Sequence, residues 1–161
     1  PIRKLADLEI NTSKFTVHEL RDYIKENFSG SRTEDKIRIY INSFGFRHGV
    51  PNDSDLVFDV RFLPNPYFIP ELSSQTGLQE PVAHFVLSQP DAQTFVSKAQ
   101  GLIEFYLPRA QREGKSYVTV AIGCTGGRHR SVAVVADLFN RLGTRYQITV
   151  RHRELGRGRE P

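Results

Sequence analysis

The stretch that decides the fold is VTVAIGCTGGRHRSVAVVADLF, residues 118–139. Its opening residues, VTVAIG, are too apolar for a half-exposed element and predict a strand covered on both faces. From RSVAVVADLF to Gly143, apolar residues recur at helical spacing, and a glycine is typical of a helix C-terminus. A buried strand, a short turn with two glycines and an amphipathic helix together indicate an α/β fold.

Further strands and helices are predicted on either side of this stretch. KIRIYINSF alternates apolar and polar residues, LVFDVRFLP reads as a second strand, and YQITVRH reads as a last one. Helices are expected at about 16–27, where Thr16 and Glu19 have capping-box spacing, at about 81–88, and from near Asp91 to Gly114. We therefore expect a single α/β domain over residues 1–161, with a mixed sheet of four or five strands and flanking helices.

Composition places the chain among intracellular globular proteins. It has 161 residues, 39% hydrophobic and 25% charged, which suits one domain with a sizeable core. No apolar run approaches the ~20 residues of a membrane span, and no signal-peptide pattern opens the chain. One cysteine excludes an internal disulfide, so a cytoplasmic location is expected. With no methionine and Pro1 at its start, the chain is expected to be an excised domain or a processed protein.

Positive charge is concentrated at the C-terminal end. The net charge is +4, and residues 141–161 hold six arginines against two glutamates, so the rest of the chain is balanced. Arginine pairs well with phosphate, which indicates a polyanion partner, RNA or DNA before a membrane. A solvated, partly disordered tail is the alternative. The RNA-binding candidates are Arg151, Arg153, Arg157 and Arg159.

The turn after the central strand has the features of a phosphate-binding loop. Ligands of open α/β sheets bind beyond the carboxyl ends of the strands. Gly126 and Gly127 allow backbone N–H groups to converge on one anion, and the following helix N-terminus adds partial positive charge. Arg130 can grip a phosphate bidentately, and Ser131 can bond it or cap the helix. A glycine-rich turn with surface arginines is the alternative. No Walker A sequence is present, so no ATPase or kinase activity is expected here.

The same turn also matches the signature of cysteine-dependent phosphatases. Cys124 and Arg130 have C-x5-R spacing, and Ser131 follows. Such enzymes use a thiolate at the base of a phosphate site, activated by the helix and the arginine. Gly123 stands where those enzymes usually have histidine. The general acid of this alternative function would be Asp53, Asp55 or Asp59, with Asp55 preferred.

Four motifs in register carry a family resemblance. VAIGCTGGRHRS, SFGFRHGVP, FDVRFLPNP and the closing RHREL resemble the C-terminal domain of the RapZ (YvcJ) family, over essentially the whole chain. The resemblance implies a non-catalytic, effector-sensing domain that binds glucosamine-6-phosphate, without cofactor or metal. Full-length members also have an N-terminal half that resembles a P-loop kinase, and any nucleotide hydrolysis would belong there.

The resemblance further implies partners. Enterobacterial members are oligomeric adaptors that bind small RNAs and hand one to a ribonuclease, in the control of amino-sugar and envelope-precursor synthesis. We therefore expect a sugar phosphate, small RNA, a ribonuclease or sensor-kinase system, and further copies of the chain as partners. The tail departs from the RNA-binding members, because ELGRGREP lacks the lysines of their basic cluster.

Carried over residue by residue, the resemblance also implies a sugar-phosphate pocket. His48 of FRHG would close it, although an ordinary loop histidine is the alternative. Arg61 and Asp59 are candidate wall residues, for which a structural ion pair is an equal alternative. The remaining pocket residues are Cys124, Thr125, Gly126, Gly127, His129, Arg130 and Ser131.

Overall fold

The computed structural model describes residues 10–17, 19–20, 23–24 and 37–156, in two compact units, residues 1–35 and 36–161. In the first unit, Thr12–Lys14 form a 3₁₀ helix. The predicted capping box is present: the Glu19 amide donates to Thr16 Oγ1 at 3.3 Å, and the Thr16 amide donates to Glu19 Oε2 at 2.7 Å. Residues 17, 19, 20, 23 and 24 are helical, and the remainder of the helix expected to residue 27 lies outside the described residues.

The second unit contains a four-stranded sheet in the order β2-β3-β1-β4. The strands are β1 (Arg38–Gly45), β2 (Leu56–Asp59), β3 (Tyr117–Cys124) and β4 (Ile148–His152). The expected α/β fold is confirmed, and all three strand pairs are parallel where a mixed sheet was expected. The connections that follow β2 and β3 contain helices and return the chain to the starting edge of the sheet, as parallel pairing requires.

Four α-helices flank this sheet: α1 (Pro70–Ser73), α2 (Glu80–Leu87), α3 (Pro90–Arg112) and α4 (Arg130–Leu142). The long helix begins one residue before Asp91, because Pro90 occupies the first helical position, where its missing N–H costs nothing. Pro108 lies inside α3. α4 ends at Gly143 as predicted. In the part of the chain described, no helix has both the length and the apolar character of a membrane span.

The core lies between the sheet and the helices α2, α3 and α4, of which α4 packs on β1, β3 and β4. β3 is an inner strand whose residues from Val118 onward are all buried, so the prediction of a covered central strand is confirmed. On one face of the sheet, Ile39 and Ile41 of β1 lie in register with Val118 and Val120 of β3. These apolar side chains are fully buried, at 0% exposure. Burial of this kind supplies most of the stability of the unit.

The ends of β1 and β3 form the switch point of the sheet. These strands are neighbours, with Gly45 and Cys124 in register, yet the chain leaves them in opposite directions. From β1 it continues to β2 on one side, and from β3 it continues through α4 to β4 on the other. Both connections start at the carboxyl edge of the sheet, where ligands of open α/β sheets bind.

Candidate anion-binding site

The anion loop, residues 124–130, wraps around the sulfur of Cys124. The Gly127 amide donates to Cys124 Sγ at 3.2 Å, and Ser131 Oγ lies 3.2 Å from the same sulfur. Cys124 and Ser131 are both buried, with 3% and 0% exposure. The buried sulfur is therefore contacted by one amide of the loop and by the hydroxyl of the first turn of α4. The sequence-predicted residues Cys124, Gly127 and Ser131 are thus brought together.

Glycines let the ends of β1 and β3 touch directly. A Cβ atom on Gly45 would lie 2.8 Å from the carbonyl carbon of Gly126. Gly127 has φ of +71°, and a Cβ atom there would lie 2.5 Å from both the Gly45 nitrogen and Glu154 Oε2. The tight loop inferred from the two glycines is therefore present, and it is packed against the end of β1.

The N-terminus of α4 carries no side-chain cap. His129 occupies the N-cap position without a capping hydrogen bond, and the first turn contains no acidic residue. Burial lowers the pKa of His129, although backbone groups of Gln75 and Ser73 act in the opposite direction. The ring is therefore neutral at neutral pH. The partial positive charge of the helix N-terminus remains available to an anion, as predicted from the sequence.

Arg130 is buried, with 4% exposure, and holds neighbouring segments together. Its Nη1 donates to the carbonyl oxygens of Arg61 and Leu63, each at 2.8 Å, and its Nη2 donates to Thr125 Oγ1 at 3.1 Å. All three acceptors are neutral oxygens. Arg130 Nε is buried and has no partner among the described residues. Because a buried charged donor without an acceptor is costly, this nitrogen is a candidate ligand contact.

A second loop, the β1 loop of residues 45–49, borders the anion loop. The Arg47 amide donates to the Thr125 carbonyl at 3.3 Å, and Arg47 Nε donates to His48 Nε2 at 2.8 Å. The Arg47 guanidinium carbon lies 4.0 Å from the position of a Cβ on Gly126. Sequence reasoning selected His48 and missed Arg47. The signal for Arg47 was its place just after a strand that ends at the same sheet edge.

Asp59 and Arg61 form an ion pair at the end of β2, with Arg61 Nη2 2.7 Å from Asp59 Oδ2. The hydrogen bond from Arg61 holds the pKa of Asp59 below its usual value, so this carboxyl is ionised at neutral pH. The Arg61 guanidinium also lies over the Phe46 ring at 4.1 Å. Arg61 thus contributes its carbonyl oxygen to Arg130 while its side chain is held by Asp59.

The other acid candidates lie apart from Cys124. Asp55 pairs with Lys115 and accepts from the Thr119 amide, and Thr119 is five residues before Cys124 on an extended strand. Asp53 is exposed in the turn before β2. The structure therefore does not bring the preferred acid of the phosphatase alternative to the anion loop. No cluster of histidine, cysteine, aspartate or glutamate suited to a metal occurs within the described ranges.

The four RNA-binding candidates fall into different settings. Arg151 is exposed on β4. Arg153 is held by Glu154 Oε1 at 2.6 Å and by the carbonyl oxygens of Gly45 and Gly49. Arg157 and Arg159 lie outside the described residues. Contact of these arginines with RNA stays a prediction.

Known proteins match nearly the whole length of the chain. Relatives named "Nucleotide-binding protein" are 51% identical over 160 residues in Solibacter usitatus and 47% identical over 160 residues in Geobacter metallireducens. These matches cover 99% and 98% of this chain but only 50% and 55% of the relatives, so the chain spans about half their length.

A protein-family model assigns the chain to a family. The model described as RapZ C-terminal domain matches residues 37–156, which include all four strands and both loops of the site. The resemblance inferred from the four motifs is confirmed. The chain belongs to the RapZ C-terminal domain family.

Proposed function

We propose that this domain is a non-catalytic sensor that binds an amino-sugar phosphate such as glucosamine-6-phosphate, and that it acts in the cytoplasm. The carrying observation is the buried Arg130 Nε, which has no partner in the described part of the chain and lies in the anion loop at the carboxyl edge of the sheet. The name of the relatives concerns proteins about twice as long. Because this chain has no Walker A sequence, we assign its phosphate site to a sugar phosphate rather than to a nucleotide.

The phosphate group would occupy the anion loop. Its oxygens can accept from the loop amides, from the uncapped first turn of α4 and from Arg130 Nε. An unpaired buried donor costs about 1–3 kcal/mol, and more when it is charged. A phosphate at this position removes that cost and compensates a charge whose three hydrogen bonds go to neutral oxygens.

The sugar would lie toward the β1 loop. His48 Nε2 accepts from Arg47 Nε, which assigns the ring proton to Nδ1. That N–H can donate to a sugar hydroxyl. The guanidinium carbon of Arg47 lies 4.0 Å from the position of a Cβ on Gly126, so we expect this side chain to reach the phosphate or an adjacent oxygen.

The alternative is a cysteine-dependent phosphatase. It is favoured by the Gly127 amide and Ser131 Oγ around Cys124 Sγ, which suit a thiolate. It is weakened because Asp59 is held ionised by Arg61 and Asp55 bonds at Thr119, so neither is placed to protonate the leaving group. The sensor is therefore the better supported function.

Ligand binding and turnover on one preparation separate the two functions. We expect glucosamine-6-phosphate to raise the melting temperature saturably, by more than inorganic phosphate does, because binding to the folded state stabilises it. An aryl phosphate should not be hydrolysed. Cys124→Ser should keep most of the affinity, since serine preserves a small polar group at the base of the loop. Turnover that disappears in Cys124→Ser would replace the sensor by the phosphatase.

Arg151, Arg157 and Arg159 are proposed to bind RNA through its phosphates. The domain would then act as an adaptor with a ribonuclease or sensor-kinase system and with other copies of the chain. Affinity should then fall with salt, with a log–log slope of about −0.7 for each phosphate contacted on a single strand. Replacing Arg151, Arg157 and Arg159 together by alanine should make the slope shallower and weaken different RNAs alike. Filter binding at several salt concentrations measures both. An unchanged slope would contradict RNA contact by these arginines.

A further inference from the structure

Two consecutive residues after β4 contact both loops of the site. Arg153 Nη2 donates to the carbonyl oxygens of Gly45 at 3.2 Å and Gly49 at 2.8 Å, the two ends of the β1 loop. Its Nε donates to Glu154 Oε1 at 2.6 Å. The Arg153 amide donates to the Ser43 carbonyl at 3.1 Å, which fixes the backbone of this pair against β1. Arg153 therefore clamps the β1 loop at its beginning and its end.

Glu154 connects the same pair to the anion loop. It is buried, with 3% exposure, and its carbonyl oxygen accepts from Arg128 Nη1 at 3.5 Å. Its Oε2 is close enough to Gly127 that a Cβ there would lie 2.5 Å away. Oε2 is a buried oxygen without a partner among the described residues, so its position is set by packing and by Arg153.

The separation of the two loops decides which ligands can bind both. Inorganic phosphate needs only the anion loop and the N-terminus of α4. A sugar phosphate must reach the β1 loop at the same time, so it depends on how firmly that loop is held. A misplacement of a binding group by about 1 Å is enough to lose a well-aligned contact.

We propose that Arg153 and Glu154 are positioning residues that set the selectivity of the site for a sugar phosphate over inorganic phosphate. This rests on the proposed sugar-phosphate function. It gives Arg153 a role different from that of the exposed Arg151, two residues earlier on the same segment. The pair acts through the two loops, and neither side chain needs to touch the ligand.

Calorimetry with glucosamine-6-phosphate and with inorganic phosphate tests the proposal on the full chain. Arg153→Ala should weaken the binding of the sugar phosphate about tenfold, because a displaced β1 loop would lose one well-placed hydrogen bond to the ligand. The binding of inorganic phosphate should weaken less than about threefold. Arg151→Ala is the matched control and should leave the ratio of the two affinities unchanged. That ratio is a property of folded protein, so a general loss of stability does not alter it.

A second variant, Arg153→Lys, tests the same role if Arg153→Ala does not fold. Arg153→Lys keeps the charge but not the fork that reaches Gly45, Gly49 and Glu154 together, so it should lower the selectivity in the same direction. Equal weakening of both ligands, or an unchanged ratio in both variants, overturns the positioning role while the proposed function stands. A wild-type chain that binds neither ligand overturns both.

Discussion

Replacing Arg130 by alanine is expected to weaken the binding of glucosamine-6-phosphate by at least about tenfold. Three hydrogen bonds already orient the guanidinium, to the carbonyl oxygens of Arg61 and Leu63 and to Thr125 Oγ1. The side chain is thus fixed before the ligand arrives, and little conformational entropy remains to be lost on binding. Loss of a charge-assisted contact of this kind costs about 1.5–3 kcal/mol, or an affinity decrease of about ten- to 150-fold.

The matched control is Arg128→Ala. Arg128 belongs to the same loop and carries the same charge, but it is less buried and makes one long contact, 3.5 Å from its Nη1 to the Glu154 carbonyl. We expect its removal to weaken binding several-fold less than removal of Arg130. Titration calorimetry on both variants measures the difference, and circular dichroism verifies that each is folded at the temperature used.

Arg130→Ala should also lower stability, because it leaves the carbonyl oxygens of Arg61 and Leu63 without their donor. Each unsatisfied buried acceptor costs about 1–3 kcal/mol. Arg130→Lys separates this effect from binding, since lysine retains the charge but cannot serve both carbonyls and a phosphate. Undiminished affinity in Arg130→Ala protein that is folded would remove Arg130 from the ligand site.

Local patterns account for what the sequence predicts well. The apolar run of β3, the two glycines and the helical period of α4 are contiguous, so each element is specified by its own residues. The capping box of Thr16 and Glu19 is local in the same sense, and both of its hydrogen bonds are present. Strand direction is not local. Nothing in the pattern of β2 or β4 distinguishes a parallel partner from an antiparallel one, which is why a mixed sheet was expected.

The site shows the same limit at the level of single residues. Arg130 can be selected from the sequence, but its acceptors are backbone carbonyls of a distant segment. Every residue has a backbone carbonyl, so residue types do not predict which ones Arg130 contacts. Asp55 and Asp59 are four residues apart, yet Asp55 bonds at Thr119, whereas Asp59 lies in register with Gly123 at the end of β3. The sequence therefore suggested Asp55 as the general acid, whereas the fold places it at Thr119, away from the anion loop.

Arg153 shows how charge composition alone misleads. It was grouped with the other arginines of the C-terminal end because they share a sign. Once β4 ends at His152, the chain turns, and Arg153 reaches Gly45 and Gly49 instead of solvent. Only the tertiary placement of the β1 loop separates its role from that of Arg151.

Gly127→Ala is expected to cause a large loss of stability, although it adds only one methyl group to the anion loop. The backbone at Gly127 has φ of +71°, a left-handed conformation that costs an L-residue about 1–2 kcal/mol. The new Cβ would lie 2.5 Å from the Gly45 nitrogen and 2.8 Å from the Phe44 carbonyl carbon. Neither backbone atom can move without disturbing β1, so overpacking adds about 1–3 kcal/mol.

Gly126→Ala is the matched control for Gly127→Ala, because it adds the same methyl group one residue earlier in the same loop. There the nearest surrounding atom is the guanidinium carbon of Arg47 at 4.0 Å, and φ is not positive. We expect a change within about 1 kcal/mol for Gly126→Ala and a loss of about 3 kcal/mol or more for Gly127→Ala, measured by urea unfolding at 25 °C. Equal midpoints for the two variants would show that the anion loop is not packed against β1 in this way. A large difference would tie the position of the loop to β1 and Glu154, the contacts through which Arg153 and Glu154 are proposed to set its ligand selectivity.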